Sequence, residues 1–133
     1  GGAGSDTLDF TNSLSNATNG KTLTLTFGGA TNFENIVGAG VPETIQGDGN
    51  DNILVGDGDK SVIGSSPVGS DIIYGYGGND LLVAGSGNLN DFAKTSRIAS
   101  QSTFISYRND SDNTGTDIVT GGLGDDTIII DGP

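Results

Sequence analysis

The sequence predicts an all-β solenoid, in which short strands stack coil upon coil. Glycine makes up 24 of the 133 residues and only 32% of residues are hydrophobic, which favours many turns over one large core. Asp71 and Asp80 are nine residues apart, as are Asp117 and Asp126, and an apolar residue follows each aspartate two positions later. Because strands this short bury too little surface alone, we expect successive strands to stack and share one narrow core.

The repeated unit is clearest near the two ends of the chain. Residues 1–9 and 121–129 both fit G-G-x-G-x-D-x-U-x, where U is an apolar residue. Degenerate copies lie at 46–54 around Asp51, 55–63 with Lys60 in the Asp position, 67–74 around Asp71, 75–83 around Asp80 and 114–120 around Asp117. The apolar position is kept in each copy, by Leu8, Ile53, Val62, Ile73, Leu82, Val119 and Ile128. A common inward-facing position predicts the shared core.

Two stretches depart from the repeat. Residues 10–45 are predicted to form irregular solenoid coils, with an alternating strand over 22–27 after the Asn19-Gly20 turn. Residues 88–113 form an insertion that carries three of the five basic residues. Its basic and aromatic side chains could bind a glycan or a protein, although a long loop with a hairpin packed on the roll is the favoured interpretation. We treat 1–133 as a single domain, and the start without Met suggests a fragment of a longer protein.

The charge narrows the classes of partner. Seventeen acidic residues against five basic ones give a net charge of −12, and all the acids except Glu34 and Glu43 are aspartates. This charge argues against nucleic acid or an anionic membrane surface as partner. Short carboxylates in glycine-rich turns suit a hard cation such as calcium. The chain has no Cys and no His, which removes thiol catalysis, zinc thiolate sites and the commonest general base.

These repeats resemble the hemolysin-type calcium-binding nonapeptide repeats of RTX proteins. The resemblance implies a parallel β-roll, with turns alternating between two edges, short strands after them, and calcium between neighbouring turns of one edge. It places Asp51 and Asp71 on one edge, and the Lys60 turn on an edge with Glu43 and Asp80. The implied ligands are the carboxylates of Asp6, Asp51, Asp71, Asp80, Asp117 and Asp126, with turn carbonyls at Gly2, Gly4, Gly47, Gly49, Gly69, Gly75, Gly78, Gly122 and Gly124.

Metal-free turns, a catalytic pair or an EF-hand would account for the aspartates less well. Asx turns could use Asp without metal, but they require neither the nine-residue period nor the paired glycines. Paired carboxylates are typical of glycosidases, yet the repeat already explains every candidate pair. EF-hand loops starting at Asp48 and Asp110 fail, because Ile53 replaces the required Gly in the first and Gly121 replaces the bidentate Glu in the second. We therefore expect no catalytic residues and no enzyme activity.

The expected function is that of an extracellular calcium-binding structural module that is largely disordered until calcium binds. It would belong to a larger secreted surface-layer, fibre or adhesin-type protein, with copies of itself or neighbouring solenoid domains as possible partners. The alternative is a C-terminal secretion and folding module of a secreted enzyme or toxin. The resemblance implies type I secretion, and no apolar run is long enough for a membrane span.

Overall fold

The computed structural model describes residues 1–12, 18–25, 33–57, 70–86, 103–109 and 117–132, with the backbone alone at 84–86, 103–109 and 130–132. Within these ranges the secondary structure is entirely β. Its ten strands are β1 (Thr7–Asp9), β2 (Thr22–Thr24), β3 (Asn35–Val37), β4 (Thr44–Gln46), β5 (Ile53–Asp57), β6 (Ile72–Gly77), β7 (Leu81–Ser86), β8 (Thr103–Asn109), β9 (Ile118–Leu123) and β10 (Asp126–Gly132).

The strands form two parallel sheets. Sheet A has the order β1-β3-β5-β7-β10-β8, and sheet B has the order β2-β4-β6-β9. From β1 to β7 the chain alternates between the sheets, so each coil contributes one strand to each sheet. Every pairing is parallel, as in Leu54 with Leu82 in sheet A and Ile45 with Ile73 in sheet B, and the register shifts by one residue only in β5 with β7, between Val55 and Asp57. The predicted parallel β-roll is confirmed.

The core lies between the sheets and is built mainly from the second residue of the strands, as with Ile36, Leu54 and Ile73. The main apolar cluster includes the buried Leu25, Ile36, Ile45, Leu54, Ile73, Leu82 and Ile128. Leu8 and Val119 pack against this cluster from the ends of the roll. One predicted core residue is wrong: Ile53 is half-buried and packs in a second cluster, while its neighbour Leu54 is fully buried in the first.

The two sheets differ on their outer faces. Sheet A is also buried on the side away from the main core, where Val37, Val55, Leu81, Val83 and Ile129 form the second cluster. Sheet B is more open on its outer face, where Ile118 is 55% exposed. Sheet A is therefore buried on both faces over β3, β5 and β7, as is usual for parallel strands, whereas the outer face of sheet B meets solvent.

The insertion contributes a strand to the roll itself. β8 pairs in parallel with β10 over seven residues, from Thr103 with Asp126 to Asn109 with Gly132. It thereby lies beyond β10 in sheet A although it precedes β10 in the chain. We predicted an excursion outside the roll, and this part of the insertion instead extends a sheet. Of the basic and aromatic residues of the insertion that could bind a glycan or a protein, Phe92, Lys94 and Arg97 lie outside the described residues.

Candidate metal sites on the two edges of the roll

The turns of the roll form two edges. The A-edge consists of the turns that lead into sheet A, at residues 1–6, 47–52, 75–80 and 121–126. The B-edge consists of the residues that lead into sheet B, at 38–43, 56–57, 70–71 and 117. Successive turns therefore alternate between the edges, as the resemblance implied. Side chains of one edge can interact between coils, because parallel strands in register bring equivalent turn residues one above another.

A column of carboxylates runs along the B-edge. The backbone N–H of Glu43 donates to Oδ1 of Asp71 at 2.9 Å, and the N–H of Asp71 donates to Oδ1 of Asp117 at 2.9 Å. Each of these residues is the last before a strand of sheet B. Oδ1 of Asp71 and Oδ1 of Asp117 thus each tie a coil to the preceding coil.

The A-edge repeats this bond with different residues. The N–H of Asn52 donates to Oδ1 of Asp80 at 2.9 Å, and the N–H of Asp80 donates to Oδ1 of Asp126 at 3.1 Å. In the first coil, the N–H of Asp6 donates to Oε2 of Glu34 at 2.7 Å, and Oδ2 of Asp6 accepts from the N–H of Gly2 at 2.7 Å. The structure therefore brings Asp80 and Asp126 together on this edge, with Asn52 completing the column.

The position predicted for Asp51 is wrong. Asn52, rather than Asp51, directly precedes the strand and corresponds to Asp80, because Ile53 pairs with Leu81. Asp51 is exposed and belongs to an outer ladder, in which its Oδ1 accepts from the N–H of Asn79 at 2.7 Å. Oδ1 of Asn79 in turn accepts from the N–H of Asp125 at 2.8 Å. The motif was placed one residue early in this copy.

The predicted edge assignments change accordingly. Asp51 lies on the A-edge and Asp71 on the B-edge, so the expectation that they share an edge is wrong. Glu43 and Asp80 are likewise on opposite edges. Lys60 lies outside the described residues, and so does Gly69 among the predicted carbonyl ligands.

Carboxylate and carbonyl oxygens converge over the first glycine of the turns at 38–43 and 75–80. A Cβ atom on Gly75 would collide with Oδ2 of Asp80 and would lie 2.5 Å from the carbonyl oxygen of Gly121. On the B-edge, a Cβ atom on Gly38 would collide with both the carbonyl oxygen of Gly56 and Oε2 of Glu43. Only glycine leaves this space free. Oxygens of two successive turns thus face one small space, which is the donor set that calcium prefers.

Two carboxylates of these columns, those of Asp71 and Asp126, are buried with one oxygen that receives no hydrogen bond from the described residues. Asp71 is fully buried and Asp126 is 2% exposed, and within the described part of the chain Oδ2 of each accepts no hydrogen bond. Burial, reinforced by the charge of Asp57, raises the pKa of Asp71 to about 8. Burial also raises the pKa of Glu43 to about 7. A buried carboxylate needs a proton or a cation, and a calcium ion held by Oδ2 and the glycine carbonyls would fit.

Main-chain carbonyl oxygens would have to supply most of the ligands of such a calcium site. The described ranges contain no group of three or more acidic side chains arranged to hold a metal. Several glycines of the predicted ligand set instead adopt left-handed backbone angles, with φ of 125° at Gly4, 103° at Gly78, 116° at Gly122 and 123° at Gly124. This conformation is accessible to glycine without strain and turns successive carbonyls toward the same side. The predicted Gly2 and Gly49 are open, since a methyl group on either would have no atom within 4 Å.

Two acidic residues near these columns were not predicted as site residues. Glu43 closes the 38–43 turn, and Asp57 is fully buried at the end of β5. The signal for Glu43 was the spacing of five residues from Gly38, the same as from Gly75 to Asp80 and from Gly121 to Asp126. The long 58–69 connection separates Asp57 from Asp71 in sequence, so no local pattern links them.

The comparison with protein families agrees with this geometry. The family described as the RTX calcium-binding nonapeptide repeat matches residues 68–88 and 111–129, with four copies. These two segments therefore match a family of structural calcium-binding repeats, which is not a catalytic family. The searches of curated proteins and of solved structures found no match. In the part of the chain that the structure describes, no helix is long and apolar enough to cross a membrane.

Proposed function

We propose that this chain is an extracellular structural module of a larger secreted protein, and that calcium completes its folding. The observation that carries the proposal is the pairing of a buried aspartate oxygen with a glycine carbonyl oxygen of the next turn, as for Asp80 and Gly121. Two such oxygens repel each other unless a cation lies between them. Calcium binding would turn this repulsion into a cross-link between coils.

The proposed ligands follow the two columns. On the A-edge they are Asp80 and Asp126, with carbonyl oxygens of the glycines at 75, 78, 122 and 124 and also of Gly121. On the B-edge they are Asp71 and Asp117, with the carbonyl oxygen of Gly56 and the predicted Gly69. Asp6, with Gly2 and Gly4, would form a site at the beginning of the roll. The predicted set of Gly47, Gly49 and Asp51 has the least support, because Asp51 faces solvent.

The wider setting is inferred from the repeat and the topology. RTX repeats are typical of secreted proteins, which supports a cell-surface or extracellular location and type I secretion. The strand that the insertion adds to sheet A is more elaborate than a regular array needs, and this favours a surface-layer, fibre or adhesin-type parent. The second candidate is a secretion and folding module of a secreted enzyme or toxin. Neighbouring solenoid domains, copies of this chain, or a glycan or protein bound at 88–113 are proposed partners.

A calcium titration tests the proposal. Circular dichroism of the chain in excess chelator should show reduced β signal, which calcium should increase. Magnesium at the same concentrations should have little effect, because its strict octahedral geometry does not suit a site rich in fixed carbonyls. A spectrum in chelator that calcium leaves unchanged would overturn the proposal, and an equal response to magnesium would contradict the choice of metal.

A further inference from the structure

One turn of the A-edge closes without needing a cation. Asn52 is fully buried in the column position that Asp80 and Asp126 occupy in later coils. Its Oδ1 accepts from the N–H of Asp48 at 2.9 Å, and its Nδ2 donates to the carbonyl oxygen of Glu34 at 2.9 Å. Nδ2 also lies 3.3 Å from Oδ1 of Asp48. Both ends of the carboxamide are therefore bonded within the protein.

The NH₂ group of the carboxamide supplies partial positive charge at the place where the aspartate turns would need a cation. Its NH₂ group carries two partially positive hydrogens, directed at the carbonyl oxygen of Glu34 and the carboxylate of Asp48. A carboxylate in this place would set its oxygen 2.9 Å from the Glu34 carbonyl oxygen with no proton between them. Such a cluster of oxygens needs a proton or a cation, and at neutral pH in the presence of calcium the ion would supply the charge.

Asn35 links the preceding coil in a similar way. It is 4% exposed. Its Nδ2 donates to Oγ of Ser5 at 2.9 Å and to the carbonyl oxygen of Asp6 at 3.2 Å, and its Oδ1 accepts from the N–H of Ile53 at 2.9 Å. Asn35 thereby joins β1, β3 and β5 through one side chain. The buried Glu43 of the same segment has both oxygens bonded to the N–H of Ala39, at 3.1 and 3.0 Å.

We infer that Asn52 and Asn35 are metal-independent staples on the A-edge, and that through them residues 33–57 form a start of the roll that holds together at low calcium. On the B-edge of this segment the oxygens of Glu43 and Gly56 converge, and there calcium would add to the stability. The coils at 70–86 and 117–130, closed by Asp71, Asp80 and Asp126, need the ion. This inference rests on the proposed function, since it assumes calcium closes the aspartate turns. The sequence led us to expect a largely disordered chain without calcium, and we now expect this disorder in the part of the chain that follows residue 70.

Hydrogen exchange of the whole chain tests the inference. In excess chelator, the amide hydrogens of 35–37 and 53–57 should exchange at least about tenfold more slowly than those of 72–77 and 126–130. Calcium should slow exchange in the second group and change the first group much less. If calcium slows exchange equally everywhere from an unprotected start, this inference alone is wrong. If calcium slows exchange nowhere, the proposed function fails and the inference fails with it.

The substitution Asn52→Asp tests the chemistry of the staple. It should add about one bound calcium per chain in isothermal titration calorimetry, because it creates a cluster of oxygens around the Glu34 carbonyl. It should also abolish the slow exchange of 53–57 in chelator. Asn19→Asp is the matched control: Asn19 is exposed in a turn, and the same change of charge there should do neither. An unchanged calcium count together with retained protection in Asn52→Asp would overturn the inference. The exchange experiment on the unaltered chain decides the matter if that variant does not fold.

Discussion

The substitution Asp71→Asn separates the two roles of a buried turn carboxylate. Asp71 uses Oδ1 to accept from the N–H of Glu43 at 2.9 Å, and asparagine can keep this bond. Its Oδ2 accepts no hydrogen bond within the described ranges, and asparagine replaces this oxygen by an uncharged NH₂ group. We therefore expect the variant to lose about one calcium ion while its calcium-free form becomes more stable.

The size of the second effect follows from the pKa. Burial raises the pKa of Asp71 from 3.8 to about 8, so the folded form binds more protons than the unfolded form between these values. The free energy of unfolding without calcium should then fall as pH rises through this window, by about 1.4 kcal/mol per pH unit for this group. From pH 5 to pH 7 the loss amounts to about 3 kcal/mol. Asparagine does not titrate and should remove this slope.

Circular dichroism in chelator at pH 5, 6 and 7, with calorimetry for the calcium count, measures both effects. Because the coil of Asp71 is expected to be disordered without calcium at pH 7, the unaltered chain should show more β signal at pH 5 than at pH 7, whereas Asp71→Asn should depend less on pH and show more β signal than the unaltered chain at pH 7. Asp9→Asn is the control: Asp9 is exposed and its Oδ1 accepts from the N–H of Thr11, so the same loss of charge should alter neither quantity. An undiminished calcium count in Asp71→Asn would refute the assignment of Asp71 as a ligand.

Two further predictions concern the A-edge glycines and the inserted strand. Gly75→Ala should lower the free energy of unfolding of the calcium-bound form by about 1–3 kcal/mol and weaken calcium binding, because its methyl group would collide with Oδ2 of Asp80. Gly49→Ala is the control, because the space around Gly49 is open and the change should have little effect. Equal effects of the two substitutions in calorimetry and thermal unfolding would contradict the site. The double change Ile105→Pro with Ser106→Pro should break the pairing of β8 with β10, because adjacent N–H groups of a strand point to opposite sides and one of the two faces β10. The uncovered edge should then promote self-association in size-exclusion chromatography, and an unchanged monomer fraction would show that β8 does not protect it.

The period of the sequence was enough to predict the roll and much of its core. Leu82 follows Asp80 in a degenerate copy of the motif and Ile128 follows Asp126 in a complete one, and both lie in the main cluster. The motif cannot fix the register where two neighbours suit the same position. Asp51 and Asn52 are both short and polar, and Ile53 and Leu54 are both apolar, so the sequence allows either alignment. The pairing of Ile53 with Leu81 decides between them, because it brings Asn52 level with Asp80.

Several features depend on contacts that are distant in sequence. Glu43 takes an aspartate's place in its column with a longer side chain, and no Asp marks its turn. The position of β8 beyond β10 reverses the order of the chain, which no local period encodes. The predicted ligands Asp71, Asp80, Asp117 and Asp126 fall into two columns, and the residues that complete them are found only when the coils are stacked.

The boundary between asparagine and aspartate turns indicates a direction for assembly. On the A-edge the N–H of Asn52 donates to Asp80, and the N–H of Leu81 donates back to the carbonyl of Asn52 at 2.8 Å. On the B-edge the N–H of Glu43 donates to Asp71, and the N–H of Ile72 returns to the carbonyl of Glu43 at 3.0 Å. The backbone N–H groups of Asn52 and Glu43, in the segment 33–57, thus face Asp80 and Asp71, the first carboxylates after residue 70 on the two edges. Because a template lowers the entropic cost of closing the next coil, we expect calcium to order the coils after residue 70 from this boundary toward the C-terminus.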